Sequence, residues 1–173
     1  LNQGGIPRQA IARLNSDGSL DTTFDAATGF TSSAGQTRVH TVIVQPDGKI
    51  ICGGLFTNYK ATGRILIARL NSDASLDTTF DAGANFNSIF GSYGEAWETA
   101  LLPNGKIITA GNFSHTGANN KAIVKLNTDG TIDNTFALDM TNVTAFTIQS
   151  DGKILAAAGG PYIFKRYLAT GAE

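Results

Sequence analysis

The chain has 173 residues, with 13 basic and 14 acidic side chains, a net charge of −1 and a charged fraction of 16%. That is one domain's worth of chain, enough to bury a core; the absence of a basic stripe excludes a phosphate-backbone partner. No apolar run reaches the ~18 residues of a membrane-spanning helix, and the single cysteine excludes an internal disulfide or a multi-cysteine zinc site.

The opening "LNQGG" has no initiator Met and reads as an excised piece or mature segment, so the lack of a leader carries no information. An alternating run follows, "AIARLN" (10–15), then the turn "SDGS" and a short run "LDTTF" that ends on Phe24. Residues 1–24 thus supply the tail of a second strand and the third and fourth strands of a partial unit. After the connection "DAATGFTSSAGQTR" comes "VHTVIVQ" (39–45), then Asp47-Gly48, "KIICGGLF", the polar loop "TNYKATGR", "LIARLN" (66–71) and "LDTTF" to Phe80. Two β-type runs joined by Asp-Gly predict a hairpin, with a two-residue type I′ turn. Cys52, between apolar neighbours and a Gly pair, reads as a small buried hydrophobe.

The pattern then recurs. "IARLNSDGSLDTTF" at 11, "IARLNSDASLDTTF" at 67 and "IVKLNTDGTIDNTF" at 123 start 56 residues apart (67 − 11, 123 − 67). After the connection "DAGANFNSIFGSYGE", the next unit runs "AWETALL" (96–102), Asn104-Gly105, "KIITAGNF", "SHTGANNK" and "AIVKLN" to Phe136. The last follows the shorter connection "ALDMTN" and has "VTAFTIQ" (143–149), Asp151-Gly152, "KILAAAGG" and "YIFKRYL" (162–168). A period near 50 with short strands predicts an all-β propeller of four-stranded antiparallel blades. The blades are expected at 1–24 (partial), 38–80, 95–136 and 142–168 (partial), within a single repeat domain. The phrases "QPDGKII" and "IARLNSDGSLDTTF" with their copies resemble the delta-60 repeat family of bacterial propeller-like proteins. That resemblance implies large, often secreted or surface-attached proteins with no shared catalytic site.

Three to four blades per chain fall short of the usual ring. The expectation is therefore completion by a longer parent chain or by a homo-oligomer, with a trimer placed ahead of a dimer.

Catalytic groups are scarce. His40 lies on a first strand, where the other copies carry Trp97 and Thr144, and His115 lies in a loop. The first strands offer only His40 and the acidic pair Glu95 and Glu98 to a channel, so the chain is read as no enzyme, ahead of a propeller-type hydrolase. The repeated N-x-D-G-S-x-D places oxygens at alternate positions, making Asp17, Asp21, Asp73, Asp77, Asp129 and Asp133 calcium candidates. The glycine is misplaced for a calcium loop and no bidentate Glu follows. Turn-capping carboxylates are therefore the preferred reading, and no cofactor is expected.

The copies disagree most after Phe24, Phe80 and Phe136, and loops on a rigid scaffold are where function concentrates. Phe86, Phe90, Tyr93 and Trp97, with His40, are the candidate ligand-binding residues, because aromatics among Asn and Ser suit a sugar face or an apolar protein patch. The alternative for Phe86 and Phe90 is a small core beneath the loop. The sequence is accordingly read as a secreted or cell-surface recognition and adhesion module for a glycan or envelope protein. A structural spacer of a surface or fibre protein is the second reading.

Overall fold

A computed structural model describes residues 2–3, 6–7, 10–33, 35–87, 94–115, 122–136, 138, 140, 143–159, 163–168 and 170–171. The described residues are all β apart from one 3-10 turn at Gly83–Asn85. None of their helices is long and apolar enough to cross a membrane.

Three of the four antiparallel three-stranded sheets among the described residues form the body, each a meander in which sequence order is spatial order. Blade 2 pairs Arg38–Val44, Ile50–Leu55 and Ile67–Leu70; blade 3 pairs Glu95–Leu101, Ile107–Asn112 and Ile123–Leu126. Blade 4 pairs Val143–Ile148, Ile154–Ala158 and Ile163–Tyr167. The first strand of blade 3 packs against the first strands of blades 2 and 4, which gives the side-by-side blades of a propeller.

Two local expectations are corrected. The hairpins are not two-residue type I′ turns. Gly48 donates to the Gln45 carbonyl and Gln45 to the Lys49 carbonyl, and of Asp47 and Gly48 only the glycine has a positive φ (82°). That is a type I turn closed by a left-handed residue, and Pro46 and Pro103, with φ fixed near −65°, favour its first central position. The fourth strand is the second correction. It shrinks to one bridge per copy, Leu14 with Leu20, Leu70 with Leu76 and Leu126 with Ile132. The reason is the Asp that follows: Asp77 Oδ1 accepts from both the amide and the hydroxyl of Thr79 (3.0 and 2.6 Å), which folds the chain into a side-chain-capped turn and diverts its donor from a ladder.

Blades are buried on both faces, so the middle strand Ile50–Leu55 is apolar or glycine throughout and buried along its whole length. One face of blade 2 (Ile51, Ile67) packs on Ala96, Ile107, Val124 and Leu126 of blade 3. Likewise Ile108, Ala110 and Ile123 of blade 3 pack on Val143, Ile154 and Ala156 of blade 4. The other face of blade 2 (Ile50, Cys52, Ala68, Leu70) takes Ile11 and Phe24 from the first copy of the repeat. Each such aliphatic side chain contributes about 1.5–3 kcal/mol. Cys52 sits inside that seam, and burial pushes its thiol up to about 12.

Across two of the seams runs the same clamp. Arg69 Nε donates to Asp77 Oδ2 at 2.7 Å, its Nη2 to Thr79 Oγ1 at 3.3 Å, and its Nη1 crosses to the Thr128 carbonyl of blade 3 at 2.7 Å. Its guanidinium lies 4.8 Å from the Phe80 ring centroid, and Lys49 completes the charge balance on Asp77 at 2.8 Å. Arg13 repeats the set with Asp21, Thr23, Phe24 and the Ser72 carbonyl of blade 2. Lys125 and Lys106 hold Asp133 in blade 3 at 3.5 and 2.9 Å. The six calcium candidates therefore divide between two internal tasks. Asp17, Asp73 and Asp129 cap their own turns through Ser19, Ser75 and Thr131, while Asp21, Asp77 and Asp133 receive the clamp. Among the described residues no group of three or more His, Cys, Asp or Glu could hold a metal.

Burial works against the Asp77 charge, yet hydrogen bonds from Lys49, Thr79 and Arg69 outweigh it and hold the carboxyl well below the usual carboxylate range. Asp133 behaves alike, and Thr23 with Arg13 holds Asp21 at about 2. A carboxyl depressed on folding contributes stability above its unfolded pKa of about 3.9 and loses it as pH falls through the folded value. The melting temperature should therefore stay level from pH 7 to 5 and fall below about pH 4. Asp77→Asn should cost about 2–3 kcal/mol at neutral pH and flatten that acid limb, as read by thermal melts across pH.

Candidate functional site

The first strands of blades 2, 3 and 4 carry a β-bulge at the same place. Val39 pairs with Gly54 and Thr41 with Gly53, leaving His40 unpaired between them. Ala96 pairs with Gly111 and Glu98 with Ala110, leaving Trp97; Val143 pairs with Ala158 and Ala145 with Ala157, leaving Thr144. A bulge re-aims the extra residue and ends regular pairing. The position where the three copies differ in sequence is thus the one turned out of the ladder. Space for the bulge of blade 3 comes from Gly111, where a Cβ would collide with the Glu95 carbonyl.

The bulges of blades 2 and 3 meet at Glu95. His40 Nε2 lies 2.9 Å from Glu95 Oε2, Trp97 Nε1 donates to the same oxygen at 3.2 Å, and Arg38 Nη1 approaches Oε1 at 3.5 Å. Gln36 accepts from Arg38 Nη2 at 2.8 Å. Trp97 is 38% exposed, and the Glu95 and His40 side chains are partly open to solvent. Exposed charge pairs of this kind contribute at most about 1 kcal/mol. The effect of Glu95 is therefore orientation: one carboxylate fixes an imidazole and an indole from two different blades.

The other candidates separate. Phe86 is not a surface residue, since it is 6% exposed and meets Phe113 edge-on at 5.0 Å, a small core beneath its loop. Phe90 and Tyr93 lie outside the described residues. The acidic pair splits, because Glu98 Oε2 accepts from the Phe146 amide at 2.8 Å and ties blade 3 to blade 4. His115, expected as loop polarity, pairs with Phe86 in a two-residue ladder, as Tyr59 does with Phe30. Arg38 and Gln36 were not foreseen as site residues. They stand in a connection whose copies share no motif, so no repeat-based signal marked them.

Comparison with known proteins places the scaffold. Residues 1–24, 45–80 and 102–136, more than half of the chain, match the model of a β-propeller domain of unknown function, DUF5122. The chain belongs to that family. No curated protein matches it. The matched segments of this DUF5122 propeller hold the clamp and the hairpins, while His40, Glu95 and Trp97 all fall in the stretches between them.

Trp97 is the only tryptophan, so its fluorescence reports this site alone. Gly111→Ala should force the bulge to shift, at about 1–3 kcal/mol for the overpacking, and move the Trp97 emission toward the red. Glu95→Gln should leave the melting temperature within a degree or two and still change the Trp97 emission.

Proposed function

We propose that this propeller is a non-catalytic recognition module that binds a glycan, as a secreted or cell-surface domain of a bacterial envelope. The observation that carries the reading is the exposed Trp97 indole held in place by Glu95 beside His40 and Arg38. An indole face stacks on the C–H face of a sugar ring, and the rim of imidazole, guanidinium and carboxylate supplies donors and acceptors for its hydroxyls. Preorganisation lowers the entropy lost on binding, and two side chains tethered to one carboxylate are preorganised. The low charge and polar loops suit a neutral saccharide over an anionic polymer. The finer resemblance to delta-60 repeat proteins supports the surface setting.

Titration of the protein against a panel of cell-wall and capsular oligosaccharides tests the reading. Trp97→Ala should weaken the selected ligand tenfold or more, equivalent to ~1.4 kcal/mol. Glu95→Gln should weaken it less, without loss of fold. A panel with no ligand, or one whose best ligand is indifferent to Trp97→Ala, would overturn the reading in favour of a spacer.

A further inference from the structure

Where blade 2 passes into blade 3 lies a cleft of about 450 Å³, a volume in the range of small-ligand pockets. Thr57 and Asn58 enter it from beyond the middle strand of blade 2, and Gly63 and Ile65 from before its third strand. Asp81 and Gly83 come from the connection to blade 3, and Ser33 from the connection before blade 2. The cleft shares no residue with the Glu95 cluster, although it lies at the same end of blade 2, where Arg38 pairs with Leu55.

The polar groups of the cleft are held by bonds that leave particular sites open. Thr57 Oγ1 accepts from the Ser33 amide at 3.2 Å and from Asn58 Nδ2 at 2.8 Å. Both hydroxyl lone pairs are then used, which leaves the Thr57 hydrogen to donate and the Asn58 Oδ1 to accept. Asp81 Oδ1 accepts from the Gly83 amide at 3.0 Å, and Oδ2 faces Arg64 Nη1 at 3.4 Å. A carboxylate oxygen takes more than one donor, and the Asp81 side chain is 53% exposed. Acceptors dominate, so the matching ligand brings its own donors.

Charge narrows the choice further. Arg64, the counter-ion of Asp81, has a side chain only 7% exposed. Its Nη1 also donates to the Gly63 carbonyl at 2.6 Å, and its buried Nε has no hydrogen-bond partner among the described residues. A cationic ligand that drew Asp81 away would leave this guanidinium buried without its counter-charge. An anion would meet the open Asp81 carboxylate first. The balance selects a neutral, donor-rich ligand. A pyranose fits, since adjacent ring hydroxyls can donate to one carboxylate while its C–H face rests on an aliphatic side chain such as Ile65.

Two glycines shape the cleft. A Cβ on Gly83 would lie 3.1 Å from the Ile65 amide nitrogen and 3.3 Å from Asp81 Oδ1, so the connection closes onto blade 2 without a side chain there. A Cβ on Gly63 would meet nothing within 4 Å, and its φ lies outside the left-handed region. The first copy of the repeat has Arg8 and Asp25, 56 residues before Arg64 and Asp81 (64 − 8, 81 − 25), but Pro7 and Ala27 in place of the glycines. The charged residues recur while the glycines do not.

We propose that this cleft is a second binding site, which takes one neutral pyranose unit through Asp81, Asn58, Thr57 and Ser33. It stands on its own lining and does not depend on Trp97.

Titration with the methyl glycosides of glucose, galactose, mannose and N-acetylglucosamine, followed by amide chemical shifts, tests this. At least one should bind and shift the Asn58 and Gly63 amides. Gly63→Val should weaken it by about tenfold or more with little change in melting temperature, because the added side chain enters open space. Ser33→Ala, at an exposed residue, should weaken it about threefold, and Trp97→Ala should leave it unchanged. No binding by any of these glycosides, or binding indifferent to both Gly63→Val and Ser33→Ala, would overturn the proposal, as would competition by methylammonium. Binding lost only in Trp97→Ala would overturn it too, while supporting the Glu95 site. Binding that survives Trp97→Ala and is lost in Gly63→Val supports the cleft whether or not the Trp97 reading holds.

Discussion

The architecture rests on the seam between blades, where a single guanidinium answers to two of them. Arg69 donates to Asp77 within its blade and to the Thr128 carbonyl of the next, and Arg13 does the same with Asp21 and Ser72. In both cases the donor and the carbonyl are 59 residues apart, so the same relation between neighbouring blades is imposed twice. The rigid fork of an arginine reaches Asp, Thr and the carbonyl of the next blade at once at these two seams, whereas in blade 3 Lys125 stands at the same position and meets Asp133 as a point charge. The energy of the seam comes mainly from Ile, Leu, Val and Phe. A buried ion pair seldom adds net stability, and its use here is to fix register, since displacing one blade along the other would strand the Asp77 carboxylate and the guanidinium without partners.

Rigidity at the seam has a consequence for the site. Glu95 belongs to blade 3, His40 and Arg38 to blade 2, and the pairing between them depends on how those blades are set relative to each other. A repeat-built scaffold presents the same bulge in blades 2, 3 and 4, and a change at one residue per copy then varies the surface without touching the core. His40, Trp97 and Thr144 are that variation. The bulge matters because a residue left out of the ladder is not required to alternate between the two buried blade faces.

Much of the fold was legible in the sequence because repetition exposes it. The 56-residue spacing, the alternating runs and the Asp-Gly hairpins located the strands, and the agreement of "LDTTF" with "IDNTF" marked a shared packing problem. The length of the fourth strand was not legible. Its apolar and polar alternation looks like a strand, and only the competition between the Asp77 side chain and the backbone ladder for the Thr79 amide ends it after one bridge. The hairpin type was missed for a similar reason, since an Asp-Gly pair serves both a two-residue turn and a three-residue one. The preceding Pro46 was the available signal.

For the site, sequence comparison among the copies picked out His40 and Trp97 as unlike residues at one position, and it noticed Glu95. It could not join them, because proximity between blades depends on the angle and register of the seam, quantities without a local sequence signature. It also ranked Phe86 with Trp97, although one is tucked against Phe113 and the other is turned to solvent. Two aromatics in similar polar surroundings read alike along the chain. What the sequence determined alone was the repeat unit, its strands and its apolar faces, because those follow from short-range alternation and turn chemistry. What the tertiary structure decided was which side chains from different blades share a carboxylate and which aromatics turn to solvent, because both are set by long-range packing.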